Sequence, residues 1–195
     1  MTKNRLAGMT TYLIGAMDRN PGGGEAWRRD LTPWLQKRGV MVFDPCNKHV
    51  EGYDRTEQAG RDDINTMKAE GRYDEIRPTY GDEIRGVDLR MVDESSFIIC
   101  YLNMDEYPCG THEEWVTANR GKKPVLFINP NGKESTPNWI FLAFPHQFIF
   151  NNFEEAKAYL HHIDTCEERA ETYGRWRFFD RRRMMRETIE QHGPF

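Results

Sequence analysis

Four short runs of apolar and β-branched residues punctuate the chain: "TTYLIGAM" (10–17), "VMVF" (40–43), "FIICYL" (97–102) and "PVLFI" (124–128). Between them lie longer stretches, several with apolar residues at helical spacing: Trp27, Leu31, Trp34 and Leu35 in one, Ile84, Val87, Met91 and Val92 in another. The last two runs show no polar alternation, so both faces of their strands must be covered. Unbroken apolar strands alternating with amphipathic helices predict a parallel sheet wrapped on both sides, a doubly wound, flavodoxin-like or Rossmann-like α/β fold of five strands. "TTYLIGAM", predicted to be central, is followed by the turn-rich "DRNPGGG", a helix from Trp27 to Lys37 and a strand that Pro45 closes, a βαβ unit.

Residues 46–80 are polar and weakly periodic. They read as an insertion covering a site, in which "EQAGRDDINTMKAEGR" is a helix candidate. "QFIF" is a candidate last strand, and "NFEEAKAYLHHI" a helix that Asn152 caps. One α/β domain over 1–163 is expected, followed by a basic, aromatic-bearing C-terminal helical extension over 164–195 that packs on its own domain or on a sister subunit, with anion or nucleic-acid contact as the alternative.

With 195 residues there is enough chain for one well-buried core. Charged residues make up 30% and the net charge is −4, so no global basic field argues for nucleic acid, and small-molecule chemistry is expected. Four cysteines without a CxxC pair suggest a reducing compartment; no apolar run is long enough to span a bilayer, and a cytoplasmic protein is expected. Neither a P-loop nor GxGxxG is present, which argues against ATP or NAD as cofactor. His161 and His162 diverge by roughly 100° on a helix and do not suit a shared metal. His112 reads as a helix-surface residue and His146 as a structural one.

In such sheets ligands bind beyond the carboxyl ends of the strands. Three segments converge there: "GAMDRNPGGGEAWR", "FDPCNK" and "NMDEYPCGTHEE". Gly110 and Thr111 at a helix start offer amides and a hydroxyl to an oxygen-rich ligand. Glu114 reads in two ways, as the end of a Thr-x-x-Glu capping box from Thr111 or as a catalytic carboxylate. Asp88 and Asp93 flank "LRMV" on the preceding helix, and Arg28 with the triple glycine forms an anion-friendly loop. Arg28 and Arg29 read as 5′-phosphate ligands or as ordinary first-turn residues.

The ordered series "YLIGAMD", "GGGEAWRRDL", "VFDP", "DLRMVDESSFIICYL", "CGTHEEW" and "KKPVLFI", over roughly residues 10–150, resembles the nucleoside 2-deoxyribosyltransferase superfamily, especially its short, often phage-encoded branch. The resemblance places the family's nucleophilic glutamate on Glu114, four residues after Gly110, and its base-contacting aspartate on Asp88. It matches Tyr12 and Gly15 to sugar-pocket positions and leaves Glu113 on the helix surface. A second base-contacting acid has no equivalent, since Pro108 and Cys109 occupy its stretch and Asp105 lies further back. The resemblance implies cleavage or transfer at the N-glycosidic bond of a (deoxy)nucleoside or nucleotide through a glycosyl ester on Glu114. It further implies no metal or other cofactor and a homo-oligomer, in the host cytoplasm if phage-encoded. The alternatives are a hydrolase of a 5′-monophosphate and a binding module without turnover.

Overall fold

A computed structural model describes residues 4–17, 24–48, 50–51, 56–103, 105–106, 108–166 and 174–193. Five parallel strands, β1 (Thr10–Gly15), β2 (Met41–Phe43), β3 (Phe97–Tyr101), β4 (Val125–Ile128) and β5 (Ile149–Phe150), lie in the order β2-β1-β3-β4-β5. This is the flavodoxin-like doubly wound order, with its switch point between β1 and β3. The predicted fold class is therefore observed, with one correction. β3 is the central strand, and β1 lies between it and the edge strand β2, because the second half of the sheet adds three strands beyond β1 and the first half adds one.

Side-chain alternation along β1 sets the two layers. Leu13 packs on one face with Leu31 and Leu35 of α1 (Glu25–Gln36) and with Leu160 and Ile163 of α7 (Phe153–Thr165). Tyr12 and Ile14 pack on the other with Met91 and Val92 of α4 (Val87–Glu94), Trp115 and Ala118 of α5 (Cys109–Arg120), and Ile140 of α6 (Asn138–Ala143). Tyr12 therefore shares a layer with the two helices that carry Asp88 and Glu114. Asn152 caps α7 as expected, accepting from the Glu155 amide at 2.9 Å.

The 46–80 insertion contains two helices, α2 (Glu57–Ala69) and α3 (Tyr73–Tyr80), and α3 runs through a π-helical segment (Gly81–Gly86) into α4. Pro78 lies within α3, where it removes one ladder donor just before the wider turn begins. α2 is held against this long helical segment. Tyr80 donates to Asp63 Oδ2 at 2.7 Å, and Gly60 leaves room for Ile84, whose Cδ1 would lie 3.2 Å from a Cβ added there.

The C-terminal extension departs from the helical expectation. Asp164 belongs to α7 and its buried carboxylate accepts the Leu6 amide at 2.9 Å, while residues 167–173 lie outside the described residues. Residues 175–180 are not helical, and among the described residues beyond α7 only Arg181–His192 forms a helix, α8. The non-helical stretch is laced to the domain: Trp176 is buried against Phe97 and donates to the Tyr159 hydroxyl at 2.9 Å. No helix of the described residues is long and apolar enough to cross a membrane.

Candidate active site

At the carboxyl edge, beside the β1–β3 switch point, lies a cavity of about 510 Å³. β1 contributes its end at Gly15, α4 contributes Asp88, and the start of α5 contributes Gly110, Thr111 and Glu114. α2 walls the remaining side with Glu57, Arg61, Asn65 and Lys68.

Helix α5 begins at Cys109 after Pro108, and no side chain caps it. Thr111 is thus already inside the first turn, and Glu114 is one turn further along, so the capping-box reading fails. The first bond of the helix ladder runs from the His112 amide to the Pro108 carbonyl at 3.0 Å. The amides of Cys109, Gly110 and Thr111 precede that ladder, at the positive end of the helix dipole and beside the cavity.

Glu114 is buried, and its Oε1 accepts from the Tyr12 hydroxyl at 2.8 Å. Burial pushes its pKa up to about 8, and the nearby Asp88 charge adds to the rise; the Tyr12 hydrogen bond, Arg28 and Lys48 oppose it. Glu113, one residue earlier, faces solvent in an ion pair with Arg85 that holds its carboxyl below the ordinary range. The adjacent glutamates are therefore chemically opposite: one buried and proton-holding, one exposed and ionised.

Asp88 sits in a buried charge cluster. Lys48 Nζ lies 2.8 Å from Asp88 Oδ1 and 2.8 Å from Glu57 Oε2. Burial raises the Asp88 pKa, and the Lys48 charge works against that rise. Burial tends to lower the Lys48 pKa, but the two carboxylates outweigh it and the net shift is upward. Lys48 reaches this position through a tight turn after β2, in which Asp44 accepts from the Cys46 amide at 2.9 Å and the Asn47 amide at 3.0 Å.

Of the residues expected at the site, Glu114, Asp88, Gly15, Gly110 and Thr111 line one cavity. Tyr12 does not line it; its ring is buried beneath and only its hydroxyl reaches Glu114. Arg28 is corrected. Its side chain is fully buried and donates to the carbonyls of Leu13 (3.0 Å), Gly15 (3.1 Å) and Gly24 (3.0 Å), so it ties the end of β1 to the start of α1 instead of meeting a phosphate. Asp93 is corrected as well. It is exposed at the far end of α4, where its carbonyl accepts from Lys123, two residues before β4, and this places it at the opposite edge of the sheet. Residues 18–23 of the expected anion loop lie outside the described residues. His112 accepts from the Trp115 indole at 3.0 Å and does not line the cavity.

Lys48, Glu57, Arg61 and Lys68 were not singled out from the sequence. A signal for three of them exists: Glu57, Arg61, Ile64, Asn65 and Lys68 fall at i, i+4, i+7, i+8 and i+11, one face of a helix. Arg61 Nη2 donates to Gln58 at 2.9 Å, whereas its Nη1 is buried without a hydrogen-bond partner.

No protein-family model matches the chain, and no curated protein sequence matches it. Among solved structures, the 2-deoxyribosyltransferase of Bacillus psychrosaccharolyticus is similar, at 17% identity over 76% of this chain and 90% of that one, with a TM-score of 0.48. The fold assignment stands on the observed strand order and register.

Proposed function

We propose that this chain cleaves or transfers at the N-glycosidic bond of a (deoxy)nucleoside or nucleotide, with Glu114 as nucleophile. The observation that carries the reading is a buried carboxylate held by the Tyr12 hydroxyl, with a second carboxyl, Asp88, on the wall of the same small cavity. In its ionised form Glu114 attacks C1′ while the C1′–N bond breaks, and the electron pair of that bond leaves with the base. The departing nitrogen needs a proton or a hydrogen bond as charge develops. Asp88, whose pKa burial raises against the opposing charge of Lys48, is the group for that role. Water or a second base then attacks C1′ and frees Glu114. Because each displacement inverts C1′, the product retains the original configuration. No cofactor takes part.

A second observation favours a 5′-phosphorylated substrate. Arg61, with its unpartnered Nη1, and Lys68 line the cavity on α2 and supply the cations that Arg28 does not.

Chromatography of purified protein with each deoxynucleoside and its 5′-monophosphate, with and without a second free base, tests both readings. Base release or exchange is expected, and mass spectrometry of the quenched reaction should find the sugar on the peptide containing Glu114. Glu114→Gln should lower turnover by on the order of a thousandfold or more. Binding of nucleoside without release or exchange by the wild-type chain would establish the binding-module alternative. Arg61→Ala should raise KM for the monophosphate and leave that for the nucleoside unchanged; an equal effect on both would remove the phosphate reading alone.

A further inference from the structure

At the opposite, amino edge of the sheet is a second cavity, of about 370 Å³, formed by the segment before β1, the turns before β3 and β4, and residues 174–179. Among the described residues that line it, five are Arg or Lys and none is Asp or Glu. Two of the five are structural. Arg175 donates to the Lys123 carbonyl (3.2 Å), Asn119 Oδ1 (2.8 Å) and the Ala143 carbonyl (3.3 Å), and Lys123 donates to the carbonyls of Asp93 (2.6 Å) and Ser95 (2.5 Å). Carbonyl and amide oxygens satisfy these donors without cancelling their charge. The acids whose field reaches Lys123 are Asp93 and Glu94, at the end of α4.

The other three cations line the cavity together with two phenyl rings: Arg5, which also donates to Cys166 Sγ at 3.3 Å, Arg177, which also donates to the Trp176 carbonyl at 3.0 Å, and Lys122. Phe178 stacks on Trp176 at 5.9 Å between centroids, with the Arg5 guanidinium 5.4 Å from its own centroid. Phe179 is 70% exposed. Lys122 holds a left-handed backbone with φ of 58°, a conformation that a non-glycine residue rarely adopts.

We propose that this cavity is a second ligand site, for a small anion bearing a flat ring, of the nucleoside monophosphate class. The phosphate dianion meets Arg5, Lys122 and Arg177, and the ring lies on Phe179. The volume suits a ligand of that size. The site is separate from the carboxyl-edge cavity and does not depend on the reaction proposed there.

Isothermal titration calorimetry of the full chain with adenosine 5′-monophosphate, inorganic phosphate and adenosine tests the proposal. The monophosphate should bind tightest of the three, at least about tenfold more weakly to the double variant Lys122→Glu/Arg177→Glu, and several-fold more weakly to Phe179→Ala. Both variants should keep the wild-type melting temperature. Arg61→Glu, which alters the first cavity, should leave this binding in place. Affinity unchanged by the double variant, or no tighter for the monophosphate than for phosphate, would overturn the site. A thymidine oligonucleotide that displaces the monophosphate with higher affinity and a steep salt dependence would assign the patch to single-stranded nucleic acid and overturn the small-ligand proposal.

Discussion

Glu114 ties stability to reactivity. Its folded-state pKa of about 8 lies above the ordinary 4.5. Between those two values the native state keeps a proton that the unfolded chain releases, so stability falls as pH rises across that window, by on the order of several kcal/mol. Glu114→Gln keeps an acceptor for Tyr12 but has no proton to lose. It should melt above wild type at pH 8.5, with the gap closing toward pH 4.5, as a thermal series would show. Turnover runs the other way, because the nucleophile must be ionised: kcat/KM should climb through about pH 8. Tyr12→Phe removes the hydrogen bond that favours the carboxylate. It should move that rise to higher pH and cut kcat by roughly 10- to 100-fold. Glu113→Ala, which breaks only an exposed pair with Arg85, should leave both profiles near wild type.

At the level of elements, the parts that were legible in the sequence are those whose environment is set locally. The apolar runs had to be strands, and the 3.6-residue periods of α1 and α4 had to face the sheet. The cap reading of Thr111 failed because Pro108, not Thr111, marks the helix start, which moves every later residue on α5 inward by three positions. Arg28 misled because a long cation after three glycines reads as a phosphate ligand, whereas the carbonyls it satisfies are those at the end of β1 and the start of α1. Lys48 was invisible because its two carboxylate partners come from different helices. α2 is a wall of the cavity held by side-chain contacts, the Lys48–Glu57 ion pair and the Tyr80–Asp63 hydrogen bond, so it can be displaced selectively. Gly60→Leu should push α2 away from Ile84, raising KM several-fold while the melting temperature changes little.

Across the whole molecule, the C-terminal extension closes a core that the sheet and its helices leave open. Trp176 joins the layer formed by Phe97 and Tyr159, and Trp176→Ala should cost about 3–5 kcal/mol, measurable by denaturant unfolding. Beyond it, α8 buries no side chain among those described, while α6 presents Trp139 at 73% and Leu142 at 80% exposure. The homo-oligomer expected from the sequence would cover such residues. Sedimentation should then give a mass above that of one chain, reduced by Trp139→Glu/Leu142→Glu; a single-chain mass for the wild type would exclude it.

The strand order also has a consequence for biosynthesis. β2 can join β1 soon after both leave the ribosome, but the other side of β1 waits for β3, which emerges only after the whole insertion has been made. At about 5–20 residues per second that wait lasts roughly 3 to 10 seconds, during which a strand that is fully buried in the finished fold has one unpaired edge. The segment that walls the cavity in the finished protein thus lengthens the time for which the nascent chain can pair with the wrong neighbour. Demand for chaperones should track the length of residues 46–80 more closely than the stability of the completed fold.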